Sequence, residues 1–274
     1  MKLAFSTNAF RKYSVEESIA AISSAGYAGV ELMCDVPHVF PPLSKKKIKT
    51  IKVELKKNSL VISNLNGFMM CAVKDFHHPS WIEKRFLERQ KRIRHTINCI
   101  KLARELGAKT VSTEPGGPLN RISRERALEL FKEGLEQVIP IAEKNRIQLL
   151  IEPEPHLLLE NSSHFVEFIS LFDTKYLALN FDIGHFYCVR EDPAKLIVLL
   201  RDYISHIHLE DISATRVHKH LIPGRGSINF KRIFDSLGRI DYRGFVTVEL
   251  YPYQHNPHYA AKEAINFLKS FITS

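Results

Sequence analysis

Four short stretches in the second half of the chain end on groups that could bind a metal ion or move a proton. They are IEPEPH with Glu152, FDIGH with Asp182 and His185, HIHLED with His208, and TVELY with Glu249. Each closes an apolar run. Two Glu, one Asp and one His brought to one centre form a nitrogen and oxygen donor set that suits Mn2+, Mg2+, Co2+, Fe2+ or Zn2+ better than a thiolate-loving ion. Three carboxylates packed in low dielectric would repel one another unless a cation sat among them. Taken singly, Glu152 could cap a loop, His208 could sit in a core, and Glu249 could pair with an arginine. Four such residues closing successive apolar runs point instead to a shared metal site.

The elements that would position them follow from periodicity. Short apolar runs alternate with longer amphipathic segments along the whole chain. Eight strands are expected at 2–7, 29–33, 60–67, 108–114, 147–154, 177–184, 204–211 and 244–250. Helices are expected between and after them, including a long one from about Ser80 to Gly107 and another over 123–145. Ser14 with Glu17, and Ser123 with Glu125, read as helix starts, while Gly26, Gly107 and Gly238 stand where helices should stop. No Gly-, Ser- or Pro-rich linker divides the chain, so residues 1–274 read as one α/β domain, a closed (β/α)8 TIM barrel. A doubly wound open sheet is the runner-up, but TNAFRKYS after the first strand lacks its Gly-rich phosphate loop. In a barrel the chemistry belongs at the carboxyl ends of the strands, which is where the four stretches end.

The order EPEP, DxGH, HxHLED, HKHLIPGRG and GFVTVEL resembles the sugar phosphate isomerase/epimerase superfamily, the xylose-isomerase-like barrels that also include endonuclease IV. The resemblance covers essentially the whole chain. It implies that Glu152, Asp182, His208 and Glu249 ligate one divalent cation, with Mn2+ expected first, and that His185 contacts the substrate. It also implies that Glu152 and Glu249 exchange a proton beside a carbonyl of a sugar or sugar phosphate, passing through a metal-stabilised enediolate. His218 and His220 of the HKH stretch, with His185, are expected to hold a second cation or an anionic substrate group. Arg225, between two glycines, is expected to grip a phosphate or carboxylate, and Glu114 joins the substrate-contacting set. The rival reading is endonuclease-like phosphodiester cleavage at abasic sites. It is weakened because Asn64, Asn66 and Glu114 stand where a three-zinc cluster needs further nitrogens. The same scaffold would also serve dehydration of inosose or dehydroshikimate, hydroxypyruvate-type isomerisation, or a non-catalytic metal-binding barrel. The segments expected to shape the pocket are 8–13, 34–42, 67–78 and 116–121.

Composition bounds the rest. With 45% hydrophobic and 25% charged residues in 274, the chain is ordinary globular material. No apolar run approaches the roughly 20 residues needed to span a bilayer, and the start is too short in apolar residues for a signal peptide, so a cytoplasmic location is expected without membrane partners. The four cysteines are single and widely spaced, against a CxxC zinc site or a disulfide framework. A net charge of +9 would favour an anionic substrate, yet much of the surplus lies in amphipathic runs at 44–57 and 83–95 that read as solvated helix faces. Nucleic acid is not the expected partner, and homo-oligomerisation is left open.

Overall fold

A computed structural model describes residues 1–68, 71–73 and 76–272. Eight parallel strands close into a barrel in the order β1 to β8. They are β1 (Lys2–Ser6), β2 (Gly29–Met33), β3 (Val61–Asn66), β4 (Thr110–Thr113), β5 (Gln148–Ile151), β6 (Leu177–Asp182), β7 (Ile204–Leu209) and β8 (Phe245–Val248). The outer helices are α1 (Val15–Ala25), α2 (Lys45–Lys57), α3 (Phe86–Leu106), α4 (Arg124–Asn145), α5 (Ser162–Ile169), α6 (Ile183–Cys188), α7 (Pro193–Leu199), α8 (Phe230–Arg239) and α9 (Pro257–Leu268). This is the expected (β/α)8 architecture, with all eight strands where the apolar runs stand. Among the described residues, no helix is long and apolar enough to cross a membrane.

The main apolar core lies between the strands and the helix ring. Phe131 and Phe168 stack there at 4.8 Å between centroids, and the Trp81 and Phe131 centroids are 5.5 Å apart. The helix faces follow from sequence: α2 buries Ile48, Ile51 and Leu55 while its lysines face outward, so that basic run is a solvated face. Ser14 and Glu17 form a reciprocal capping box at the start of α1, and Ser123 caps α4. Gly26 and Gly107 close α1 and α3 in the left-handed conformation that a side chain disfavours.

Several expected boundaries need correction, among them the fifth strand, which ends at Ile151 rather than at residue 154. The long helix begins at Phe86 rather than near Ser80, because the Trp81 amide donates to Gly116 O and its indole to Thr113 Oγ1, holding this segment against the β4 loop. Gly238 lies inside α8, which runs one residue further. The sixth strand stops at Asp182, not Gly184, because the Asp182 carboxylate caps the short helix α6 by accepting the His185 amide at 2.7 Å.

The barrel lumen is polar. Asn64 on β3 donates to Glu31 Oε2 on β2 and to Ser112 Oγ on β4, each at 2.9 Å. Thr110 donates to Asn64 Oδ1 at 2.8 Å. These bonds satisfy groups that burial would otherwise penalise, and they tie neighbouring strands below the site.

Candidate metal centre and cavity

Glu152 and Glu249 lie one residue beyond β5 and β8, Asp182 ends β6, and His208 is the penultimate residue of β7. Asp182 and His208 are register partners across the β6–β7 ladder, so their side chains rise together on one face. One ligand atom from each of Glu152, Asp182, His208 and Glu249 lies within 4.8 Å of the others, and all four residues are buried. The structure therefore brings the four expected ligands together.

His208 shows what the cluster demands. Its Nδ1 is 2.7 Å from Glu152 Oε1, 3.9 Å from Glu249 Oε1 and 4.0 Å from Asp182 Oδ2. Its Nε2 is 2.6 Å from Glu31 Oε2. Burial alone would discharge the imidazole, but the charges of Glu152, Glu31 and Glu249 push its pKa well above the ordinary value. With both ring nitrogens donating to carboxylates, the Nδ1 proton supplies the positive charge that a divalent cation would bring. Burial raises the carboxyl groups of Glu152 and Glu249, opposed in each by His208. Asp182 Oδ2 is buried without a hydrogen-bond partner. An orphaned oxygen, a nitrogen aimed into three carboxylates and a mixed nitrogen and oxygen donor set fit a divalent ion.

Several supporting contacts are not legible in the sequence. Glu31 looked like an interior position of GVELM, yet it grips His208 and is drawn down to about 2; burial opposes this, and His208 and His206 outweigh it. Asn180 donates to Glu152 Oε2 at 2.8 Å, and Asn66 donates to Glu249 Oε1 at 3.2 Å. Strand alternation could have flagged Glu31, which stands on an inward-facing position with no lysine or arginine near it in sequence.

A cavity of about 190 Å³ opens above the cluster. Glu152, Glu154, Glu249, His185, His218, His220, Asn8 and Asn66 supply its polar lining, and Phe68, Phe76 and Tyr251 its apolar wall. His185 Nδ1 donates to Pro153 O at 2.9 Å, and His220 Nδ1 to Glu249 O at 2.9 Å. Each thereby keeps an Nε2 lone pair. Burial lowers the pKa values of His185, His218 and His220 to about 3, so the three imidazoles are neutral. They form a second group of mutually close ligand atoms, with His218 Nε2 3.1 Å from His220 Nε2. Asn8 is fully buried with both amide atoms unpartnered, a donor and acceptor available to a ligand. Glu154 is pushed well above the carboxylate range by burial, then by the charges of Glu152, Glu249 and Asp182.

Two expected substrate contacts lie elsewhere. Glu114 is buried 3.3 Å from the equally buried Arg92, whose guanidinium also donates to Pro79 O and Gly67 O; burial pushes Glu114 to about 8 against the pull of Arg92. Arg225 points outward, donating to Tyr259 Oη and lying 3.3 Å from Glu263. Its flanking glycines serve Asp211, which accepts the amides of Gly224 at 3.0 Å and Gly226 at 2.8 Å; a Cβ on Gly226 would collide with Asp211 Oδ1. Of the segments expected to shape the pocket, 8–13 and 67–78 contribute lining residues, whereas 34–42 and 116–121 contribute none. Met69, Met70, Lys74 and Asp75 of the second segment lie outside the described residues.

The sequence profile of the xylose isomerase-like TIM barrel family matches residues 19–271. The chain belongs to this family. Among curated relatives of this xylose isomerase-like barrel is an inosose dehydratase of Mesomycoplasma hyopneumoniae (strain 7448), 27% identical, with 95% of this chain and 89% of the relative covered. Among solved structures, a D-tagatose 3-epimerase-like protein superposes with a TM-score of 0.84 at 23% identity, covering 100% of this chain and 97% of the other. The IOLI protein with a binding zinc atom superposes with a TM-score of 0.82 at 16% identity, covering 100% and 98%. These two structural likenesses speak for the fold.

Proposed function

We propose that this barrel is a divalent-metal-dependent isomerase or epimerase that removes and returns the proton beside the carbonyl of a sugar or sugar phosphate. One observation carries the reading: Glu152 and Glu249 arrive from strands separated by two others, line the same cavity and belong to the same four-residue ligand group. That group would hold the cation, which when bound supplies Lewis-acid stabilisation of negative charge on the substrate oxygens. Mn2+ remains the first expectation, and the zinc of the IOLI protein supports Zn2+ as a further candidate.

The chain's own residues have separable tasks. One glutamate takes the proton and the other returns it, which inverts or relocates the centre according to where the proton goes back. Asn180 orients Glu152 and Asn66 orients Glu249 through the bonds described above. The Nε2 lone pair of His185 accepts a hydrogen bond from a substrate hydroxyl, and Asn8 offers both donor and acceptor. Phe68, Phe76 and Tyr251 cover the carbon face of the substrate and keep water from the exchanging proton.

A second reading, dehydration, is favoured by Glu154 together with the inosose dehydratase relative. Proton removal would be the same, but a hydroxyl on the next carbon would then leave as water. Glu154, whose carboxyl burial pushes well above the ordinary carboxylate range, is the acid available to it.

The test is solvent-hydrogen exchange in D2O with the metal-loaded protein on a panel of ketohexoses, sugar phosphates and inososes. Deuterium beside the carbonyl in recovered substrate and epimer is the expected result; an unsaturated product with loss of water would select dehydration. Glu152→Gln and Glu249→Gln should each slow exchange by at least about a hundredfold. A metal-loaded protein that binds these compounds and exchanges none of their hydrogens would overturn both readings in favour of a binding protein.

A further inference from the structure

We propose that Cys34 and Cys99 are a dithiol site that closes to a reversible disulfide when the folded protein meets hydrogen peroxide. Neither residue belongs to the metal ligand group or lines the cavity, and both thiols are free in this structure. They come from distant parts of the chain, Cys34 directly after β2 and Cys99 within α3, and both are fully buried. The two converge on the end of β3. The Cys34 amide donates to Asn66 O at 2.7 Å, and a Cβ on Gly67 would lie 3.4 Å from Cys99 Sγ. There the two thiols share a hydrogen bond.

The surroundings of Cys99 suit a nucleophile better than a packing thiol. His95, one turn earlier on α3, brings Nε2 to 3.5 Å from Cys99 Sγ, and Arg92 stands on the same face of the helix. Burial pushes both thiols up. At Cys99 the hydrogen bond from Cys34 and the charges of His95 and Arg92 outweigh it and draw the pKa below the ordinary value, while Cys34 stays well above. One sulfur is thus prepared to attack and its neighbour to resolve.

Burial also selects the oxidant, since hydrogen peroxide is uncharged and close to water in size. The half-buried ring of Phe40, stacked on His95 with centroids 5.3 Å apart, is the cover it must pass. His95 holds the proton that the Cys99 thiol gives up. The thiolate attacks one peroxide oxygen, the O–O bond breaks, and the departing hydroxide takes that proton and leaves as water. Cys34 sulfur then displaces the hydroxyl of the sulfenic acid, and its own thiol proton leaves with that hydroxyl as a second water. Two electrons pass from the thiols to the peroxide, and a dithiol reductant returns them. The bond would form one hydrogen bond behind the metal centre, because Asn66, held by the Cys34 amide, also donates to Glu249.

Peptide mapping by mass spectrometry is the test. Folded wild type is treated with hydrogen peroxide at neutral pH, quenched by alkylation and digested without reduction. A cross-linked peptide joining Cys34 to Cys99, two hydrogens lighter than its free halves, is expected, and dithiothreitol should restore both thiols. Cys71→Ser and Cys188→Ser should leave the cross-link unchanged. His95→Gln, with its fold checked by circular dichroism, should slow the reaction at least about tenfold, because only a few per cent of an ordinary cysteine is thiolate at that pH. Cys34 and Cys99 both still free while the half-buried Cys71 or Cys188 is oxidised would overturn the proposal, and that measurement needs no variant. Cys99 carried to sulfinic acid without the cross-link would also overturn it, as would a cross-link formed as fast in folded His95→Gln as in wild type.

Discussion

His208 is clamped by a carboxylate at each ring nitrogen, and the two clamps differ in kind. On the Nδ1 side stand Glu152, Asp182 and Glu249; on the Nε2 side stands Glu31, itself held by Asn64. Glu31 thus fixes which nitrogen faces the ion, the role an outer carboxylate plays behind a metal-ligating histidine. Glu31→Gln keeps the shape and removes the charge, so divalent-ion affinity should fall about 10- to 100-fold by titration calorimetry while the circular dichroism of the barrel is unchanged. Unaltered affinity would make Glu31 a spectator. The four expected ligands were legible because each closes an apolar run and the runs repeat. Glu31 and Asn180 were not, and Asn66 was placed at the cluster without its partner Glu249, since a polar residue inside a strand reveals its partner only once the barrel closes and brings distant strands to one axis.

At the scale of elements, the site is carried by short segments that do two jobs. Asp182 ends β6 and caps α6 with one oxygen, which leaves the other free for an ion. That helix was hidden because six residues hold too few turns for a periodic pattern to show. Arg92 on α3 and Glu114 after β4 form a buried tie that also holds the carbonyls of Gly67 and Pro79. Glu114→Ala would strand a buried guanidinium, so it should cost about 3 kcal/mol in denaturant unfolding, while turnover per folded molecule is retained. Turnover lost with stability intact would instead return Glu114 to the substrate-contacting set. Sequence pattern located Glu114 at a strand end but could not show its turn away from the cavity, because the competing partner lies on another helix.

For the whole molecule, the balance of charge separates inside from outside. The +9 surplus rides on exposed helix faces such as α2, while the barrel mouth gathers buried acids that include Glu31, Glu152, Glu154, Asp182, Glu210 and Glu249. The fold could be read from alternation and spacing because every strand and nearly every helix obeys its own period; the loops could not, because their course depends on contacts such as Asp211 with Gly224 and Gly226. A cation that binds only the closed barrel must stabilise it. Chelation should therefore lower the melting temperature by roughly 5 °C relative to protein at 100 times Kd, given about 2.7 kcal/mol of linkage energy and about 2 °C per kcal/mol in a chain of this size. An unchanged melting curve would mean that ions bind folded and unfolded chains alike. The central claim, a cation held by Glu152, Asp182, His208 and Glu249, is tested most directly by an anomalous difference map from crystals soaked in Zn2+. The account predicts a peak about 2.1 Å from His208 Nδ1 and from an oxygen of each of the three carboxylates. A saturated crystal with no peak among those four residues would contradict it.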